Sequence, residues 1–366
     1  MKILVFGAGA IGTWLGATLG RSGQWVTLVG RSALVEAVNT AGVQVIAPDG
    51  KDWRTQNLRA VQHVRDAAAG DSIMSAPYDV ILLCVKAYDV DAALTALQSH
   101  RDALFYPPEQ GQPRTVLACL QNGVGSEERC ADVFGAERVA AATTTSPVSM
   151  PAPGVVQVER SGGAVCLSPL SAQDSPAAGS PLAQFVAALK QADLPVAIYR
   201  DARSLKWSKL LLNVMSNASS AILDMLPAEI YGHAGLFQME RRMLREVVAV
   251  TRALHIPLLD LPRFPAAKLA WALRAVPTAL LQPVLVRQLA RGRGNKWPSF
   301  HHDVAQHTGK TEVMWLNGAG VEQGHLNGVP TPVNAALTQV LLEIVTGKVD
   351  AAEWRHQPDK LLALIR

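Results

Sequence analysis

The stretch "KILVFGAGAIG" at residues 2–12 constrains the fold more than any other part of the chain. "KILVF" is a short apolar run rich in β-formers, and it predicts a buried strand. Gly7-x-Gly9-x-x-Gly12 follows at once and leads into "TWLGATLGRSG", whose apolar spacing is helical. A glycine triplet alone is a weak signal, because a turn without any ligand can carry the same letters. Placed between a strand and a helix, it has a mechanism. Gly7 permits the tight turn, Gly9 lets a pyrophosphate approach the backbone, and Gly12 lets the helix pack close to the strand. The helix start then offers N–H donors and the positive end of its dipole to phosphate. The whole loop, Gly7, Ala8, Gly9, Ala10, Ile11 and Gly12, is the candidate dinucleotide cradle.

The alternation continues downstream. "QWVTLVG" reads as a strand, "SALVEAVNTAG" as a helix ending at Gly42, "YDVILLCVK" as a strand and "DVDAALTALQSH" as a helix. "RTVLACL", "GSEERCADVFG" and "ERVAAATTT" add strand, helix and strand. Such a βαβα series predicts an α/β fold with a mostly parallel sheet covered by helices. Beyond Pro147 the texture changes. "PGVVQVERSGGAVCLSP" reads as a hairpin or meander, "SAQDSPAAGSP" as a surface loop, and "LAQFVAALKQADLPVAIY" as a helix and a last strand. From Asp201 the pattern is helical, with helices expected at 201–220, 236–255, part of 264–290, 299–307, 311–323, 331–346 and 358–365. The expected organisation is a Rossmann-type domain over 1–200 and an all-α domain over 201–366.

Composition excludes several classes. Of 366 residues 49% are hydrophobic and 17% charged, so the chain can build a large core. A formal net charge of +4 with no block of like charges argues against a nucleic-acid partner. Cys84, Cys119, Cys130 and Cys166 stand far apart without a CxxC pair, which suits a reducing compartment. No secretory signal pattern opens the chain, so a cytoplasmic location is expected. The apolar run "AVPTALLQPVLV" (275–286) holds two prolines and is shorter than the roughly 18–20 residues a span needs. It reads as a core or lid helix, with interfacial membrane contact as the alternative. The expected partner is a small molecule, and a homodimer is compatible with the sequence.

Other candidates follow from placement. The second strand ends "LVGRS", so Arg31 stands where NAD-binding folds usually carry an acid against the ribose 2′-hydroxyl. A guanidinium there can bind a 2′-phosphate bidentately, which favours NADP over NAD and argues against FAD. A solvated surface arginine is the alternative. Lys86 and Asn122 follow strands at the edge where open α/β sheets bind ligands. A surface lysine and an Asn-Gly turn are their alternatives. In "KWSKLLLNVMSN" (206–217), Lys209, Asn213 and Asn217 are spaced four and four apart, hence on one helix face. That face is either solvated or a site in which a lysine supplies a proton and amides bind oxygens. Lys206 lies on a similar face, and spacing does not choose between the lysines. Ser299 reads as a helix cap or a carboxylate contact, and Glu312 as a surface acid at a helix start or a functional one. His301, His302 and His307 lack zinc-ligand spacing, so no metal is expected.

Taken in order, "GAGAIG", Arg31, "VKAYD", "QNGVG", "TTTSPV", "PGVV", "KWSKLLLNVMSN" and "KTEVMWLNG" resemble the ketopantoate reductase (2-dehydropantoate 2-reductase) family along nearly the whole chain. The resemblance implies an NADPH-binding Rossmann domain, a helical domain, and an active site between them. It implies that Gly7, Gly9 and Gly12 cradle the pyrophosphate, that Arg31 takes the 2′-phosphate, and that Lys86 and Asn122 line the nicotinamide side. It selects Lys209 over Lys206 as the catalytic lysine and puts Asn213 and Asn217 beside the substrate. Ser299 then corresponds to a carboxylate contact and Glu312 to the acid that hydrogen-bonds substrate oxygens. The implied reaction is NADPH-dependent reduction of a 2-oxo acid, ketopantoate to pantoate, in pantothenate biosynthesis. A related reductase or opine-type dehydrogenase of another oxo acid, and an NADP-binding sensor without chemistry, are the alternatives. This chain departs from the family pattern at Pro227, where an amide is frequent, and at Lys296, where an asparagine is common. The segment 303–312 is one residue longer than usual. An apolar insertion at 260–293 is expected to add a helix or more and to cover the cleft or make a subunit contact.

Overall fold

The computed structural model describes residues 1–69, 76–107, 114–171, 179–293 and 297–365. The chain divides into two compact units. The first comprises Met1–Gln121, Gly125–Leu205 and Leu261–Arg263; the second comprises Asn122–Val124, Lys206–Asp260 and Phe264–Arg366.

An eight-stranded sheet organises the first unit. Its spatial order is Val196–Ile198, Val165–Pro169, Val139–Thr144, Val116–Cys119, Val80–Leu83, Lys2–Phe6, Trp25–Val29 and Arg59–Val61. Every pairing is parallel except Val139–Thr144 against Val165–Pro169. The α/β class with a mostly parallel sheet is therefore observed. The central strands are buried on both faces, as parallel sheets require. Ile3, Val5, Val80, Leu82, Val116 and Ala118 join one core; Leu4, Ile81, Leu83, Leu117 and Cys119 join the core on the opposite face. This is the period-two alternation of a strand, here with both faces apolar.

Lys2–Phe6 lies between Trp25–Val29 on one side and Val80–Leu83 on the other. Successive connections leave it in opposite directions, so its C-terminal end is a topological switch point, where such sheets form a crevice.

A smaller sheet runs Asp52–Thr55, Val43–Ile46, Val155–Val158, Val148–Ala152. Here the reading of 153–169 as a single hairpin or meander is corrected. Val155–Val158 does form a hairpin with Val148–Ala152, but Val165–Pro169 leaves it and enters the main sheet. Val43–Ile46 pairs in parallel with Val155–Val158, which lies more than a hundred residues away. Most of the loop read at 171–181 lies outside the described residues.

The second unit is helical around one core. Two expected helices are broken. The one read over 201–220 is two, Ala202–Val214 and Asn217–Leu223. Ser216 between them has φ +50 and ψ 12, a left-handed conformation that no helix can pass through. The helix read over 311–323 is a 3-10 turn, Glu312–Trp315, followed by a helix at Asn317–Leu326. The stretch 264–290 forms two helices, Ala266–Ala275 and Thr278–Arg293. Pro277 explains the break, since the residue before a proline is driven out of the helical region; Val276 has ψ 130.

The 260–293 insertion is thus mostly a helix pair. It contributes Leu269, Leu273, Leu281 and Leu285 to the core. The Arg241 guanidinium donates to the Leu273 and Val276 carbonyls at the end of its first helix and to the Thr278 hydroxyl at the start of its second. Among the described residues no helix is long and apolar enough to cross a membrane.

Candidate functional site

The glycine turn is built as the motif requires. Both Gly7 and Ala8 N–H groups donate to the Val29 carbonyl, at 3.2 and 2.9 Å. Gly7 has φ +102, and a Cβ there would lie 2.5 Å from Val85 N and 2.6 Å from Cys84 C. On Gly12 a Cβ would lie 2.6 Å from the Gly7 carbonyl oxygen and 2.9 Å from Val5 Cγ1. Both positions are therefore held at glycine by the protein's own packing. Gly9 is different: a Cβ there would meet no heavy atom within 4 Å, and its φ of −77 suits any residue. It faces open space at the start of the helix Ala10–Arg21, which has no acid in its first turn. That space, with helix amides aimed toward it, fits a pyrophosphate. Beside the turn, burial pushes the Cys84 thiol up to about 12, so it is an uncharged filler at neutral pH.

Arg31 is exposed and is the N-cap residue of the helix Ser32–Ala41, just beyond Trp25–Val29. Lys86 is likewise exposed and is the N-cap residue of the short 3-10 turn Ala87–Asp89, beyond Val80–Leu83. Both stand past the C-terminal ends of sheet strands.

In the second unit the polar residues form two clusters. Asn213 Nδ2 donates to Asn122 Oδ1 at 3.1 Å. The backbone beside Asn122 is tightly fixed: Val124 N–H donates to the Trp315 carbonyl at 3.2 Å, and Gly123 has φ +82 with room for no Cβ, which would lie 2.2 Å from that same oxygen. Asn122 is thus tied both to the helix of Lys209 and to the 3-10 turn that Glu312 opens. Glu312 itself is 2% exposed, not a surface acid. Lys209 stands one turn before Asn213 and is half-buried, whereas Lys206 is 3% exposed and fully enclosed. The two lysines that spacing left equivalent are thereby distinguished: only Lys209 combines packing with access to solvent.

The second cluster joins Asn217 and Ser299. Asn217 Nδ2 donates to Ser299 Oγ at 3.2 Å, and Asn217 Oδ1 accepts from the Phe300 N–H at 3.1 Å. Ser299 is the first residue of the helix Ser299–Ala305, and the N-cap position before it is Pro298, which makes no side-chain cap bond. The capping role read for Ser299 therefore belongs to Asn217, which satisfies one of the amides a helix start leaves open. Because of the break at Ser216, Asn213 and Asn217 do not share one straight helix face. Lys296 lies outside the described residues.

Sequence reasoning missed Asp224 and Glu240. Asp224 Oδ1 lies 2.8 Å from His301 Nε2, and the His301 ring stacks on Trp297 with centroids 3.8 Å apart. Glu240 is 1% exposed and accepts three hydrogen bonds around Ser216. Neither carries a motif; only contacts across the helical unit reveal them. Among the described residues no cluster of three or more His, Cys, Asp or Glu could hold a metal ion.

A switch-point sheet with a glycine turn shaped for pyrophosphate, continued by a helical unit bearing a lysine, amides and a buried acid, defines a two-part Rossmann-type oxidoreductase. Comparison with known proteins refines that class. The family model described as "Ketopantoate reductase PanE/ApbA" matches residues 3–171, and its C-terminal counterpart matches residues 201–345. The chain belongs to the ketopantoate reductase family and is an oxidoreductase of that type. It is 25% identical over 342 residues to a 2-dehydropantoate 2-reductase of Halobacterium salinarum, covering 93% of this chain and 98% of the relative. A PanE/ApbA family ketopantoate reductase from Ralstonia eutropha superposes with a TM-score of 0.74 at 25% identity, covering 95% of this chain and 99% of that one. A D-mandelate dehydrogenase, solved with NADH and anilino(oxo)acetate, shares the fold at a TM-score of 0.73 and 24% identity, covering 95% of this chain and 99% of that one.

Proposed function

We propose that this chain is an NADPH-dependent reductase of a 2-oxo acid, with ketopantoate as the leading substrate and pantoate as product. The observation that carries the reading is the Asn122–Asn213 hydrogen bond, which joins the loop next to Trp315 to the helix of Lys209. The loop of Asn122, the helix that carries Lys209 and Asn213, and the turn opened by buried Glu312 supply an ammonium, amides and an acid, the groups that reduction of a 2-oxo acid calls for.

Gly7, Ala8, Gly9, Ala10, Ile11 and Gly12 hold the pyrophosphate, Arg31 binds the 2′-phosphate, and Lys86 and Asn122 line the nicotinamide side. When bound, the reduced nicotinamide supplies the hydride for the substrate C2 carbonyl. Lys209 stabilises the developing alkoxide and gives it a proton from its ammonium. Glu312 orients the hydroxyl and the lysine. Asn122 and Asn213 donate to substrate oxygens, and Asn217 aims the Ser299 hydroxyl at the carboxylate. The Rossmann-type region over 1–200 binds the cofactor and the region over 201–366 reads the substrate.

The test is NADPH oxidation by the purified protein across ketopantoate, pyruvate, branched 2-oxo acids and arylglyoxylates. Ketopantoate is expected to give the highest kcat/KM. No turnover of any of them with NADPH or NADH would sink the reductase reading in favour of a cofactor-binding sensor. A second reading, a dehydrogenase of bulkier 2-hydroxy acids, draws on the fold shared with D-mandelate dehydrogenase and its recorded ligand anilino(oxo)acetate. Preference for arylglyoxylates in the same panel would establish it.

The choice of cofactor rests on Arg31. A hydrogen bond to a charged group contributes about 1.5–3 kcal/mol, so Arg31→Ala should raise the KM for NADPH by about 10–100-fold. The KM for NADH should hardly change. Equal loss with both cofactors would remove Arg31 from 2′-phosphate recognition.

A further inference from the structure

The break in the helix at Ser216 has an identifiable cause. Ser216 is fully buried and holds a left-handed conformation at φ +50, which is costly for any residue with a Cβ. Glu240, on the helix Ala234–Ala253, reaches it from 24 positions along the chain. Its Oε2 accepts from the Ser216 backbone N–H at 2.8 Å and from the Tyr231 hydroxyl at 3.2 Å; its Oε1 accepts from the Ser219 hydroxyl at 2.6 Å. Tyr231 and Ser219 are also fully buried. A carboxylate 1% exposed is tolerated because it is met by three donors. Strained backbone buried at this depth persists only where its surroundings over-determine it.

The break lies between Asn213 and Asn217. An unbroken helix would carry both amides along one face, a turn apart. With Ser216 left-handed, Asn213 bonds to Asn122 while Asn217 turns to Ser299 and the Phe300 amide.

We propose that Glu240 is a positioning residue for substrate recognition: it holds Ser216 left-handed and so sets the separation of the Asn213 and Asn217–Ser299 contacts. This rests on the reading of those residues as the substrate-facing set. Glu240 touches neither substrate nor cofactor; it acts through the backbone of Ser216.

Four proteins test the proposal: wild type, Glu240→Gln, Glu240→Ala, and Glu240→Ala combined with Ser216→Gly. Glutamine keeps an oxygen for the Ser216 amide and an NH₂ for the Ser219 oxygen, so Glu240→Gln should stay within a few-fold of wild type. In Glu240→Ala the KM for the 2-oxo acid should rise by about 5–100-fold, the range for leaving a buried donor unmet. Binding of NADPH, measured by fluorescence titration, should not change. Glycine adopts φ near +50 at little cost, so Ser216→Gly in the alanine background should return KM toward wild type. A purely structural role predicts something else: fewer active molecules, hence lower kcat at unchanged KM, and no rescue by glycine. Either result would overturn the proposal.

Hydrogen exchange at amides 215–219 keeps the test decisive if the wild type reduces no 2-oxo acid. Exchange there should rise in Glu240→Ala and fall again with Ser216→Gly. Unchanged exchange would refute Glu240 as the holder of the break, whereas inactivity of the wild type alone would refute only the reductase reading.

Discussion

Replacing Lys209 with alanine is expected to lower kcat by about 10²–10⁴-fold, the usual contribution of a positioned general acid. That corresponds to about 3–5 kcal/mol of transition-state stabilisation at 1.36 kcal/mol per decade. The KM for NADPH should stay near wild type. Lys206 is the natural control, because it lies one turn away in a different environment. It is 3% exposed, so its side chain belongs to the packing of the helical unit. Truncating a buried side chain loses its packing and leaves any buried polar partner unmet, at about 1–3 kcal/mol of stability. Lys206→Ala should therefore lower Tm while the molecules that remain folded turn over normally. Lys209→Ala should lower turnover while Tm holds. The reverse pairing would move the catalytic role to Lys206, and near-normal turnover in Lys209→Ala would remove Lys209 from the mechanism.

The second large effect separates two glycines of the same motif. Gly9→Ala is expected to leave Tm unchanged and to weaken NADPH binding by about 10-fold or more, since a methyl group would stand where the pyrophosphate approaches the backbone. The reason is local: a Cβ on Gly9 meets no protein atom within 4 Å. Gly7→Ala should instead destabilise the protein itself. Its Cβ would lie 2.5 Å from Val85 N, and its φ of +102 is one that L side chains rarely adopt. Overpacking and backbone strain each cost about 1–3 kcal/mol, so the loss should be about 2–6 kcal/mol. Thermal unfolding and fluorescence titration of both variants decide the matter. If Gly9→Ala binds NADPH as the wild type does, the loop is not the cradle.

Much of the fold was legible because its causes are local. "KILVF" is apolar at every position, and a strand buried on both faces needs nothing else. The turn is legible for a similar reason: Gly7 has φ +102 and a Cβ on Gly12 would meet the Gly7 carbonyl oxygen and Val5, so part of the demand for glycine arises within the motif. The helical half was legible as helices but not as boundaries. The break before Thr278 could have been read from Pro277, a strictly local signal. The break at Ser216 could not, since serine has no preference for φ +50 and its amide is met by Glu240 from another helix.

The site divides along the same line. Lys209, Asn213 and Asn217 were visible as polar residues in an apolar run, yet spacing put them on one face of one helix. The tertiary structure ends that helix at Val214, points Asn213 at Asn122, and gives Asn217 the task of capping the helix of Ser299. Glu312 read equally well as a surface acid until the fold buried it. By itself the sequence determined the parallel sheet, the glycine turn and which side chains could do chemistry, because local sterics and periodicity encode those. Only the tertiary structure decided which lysine reaches solvent, where the polar helix breaks and what each amide bonds. The helix break and the amide bonds depend on partners 24 to 91 residues away, and no local pattern encodes a long-range hydrogen bond.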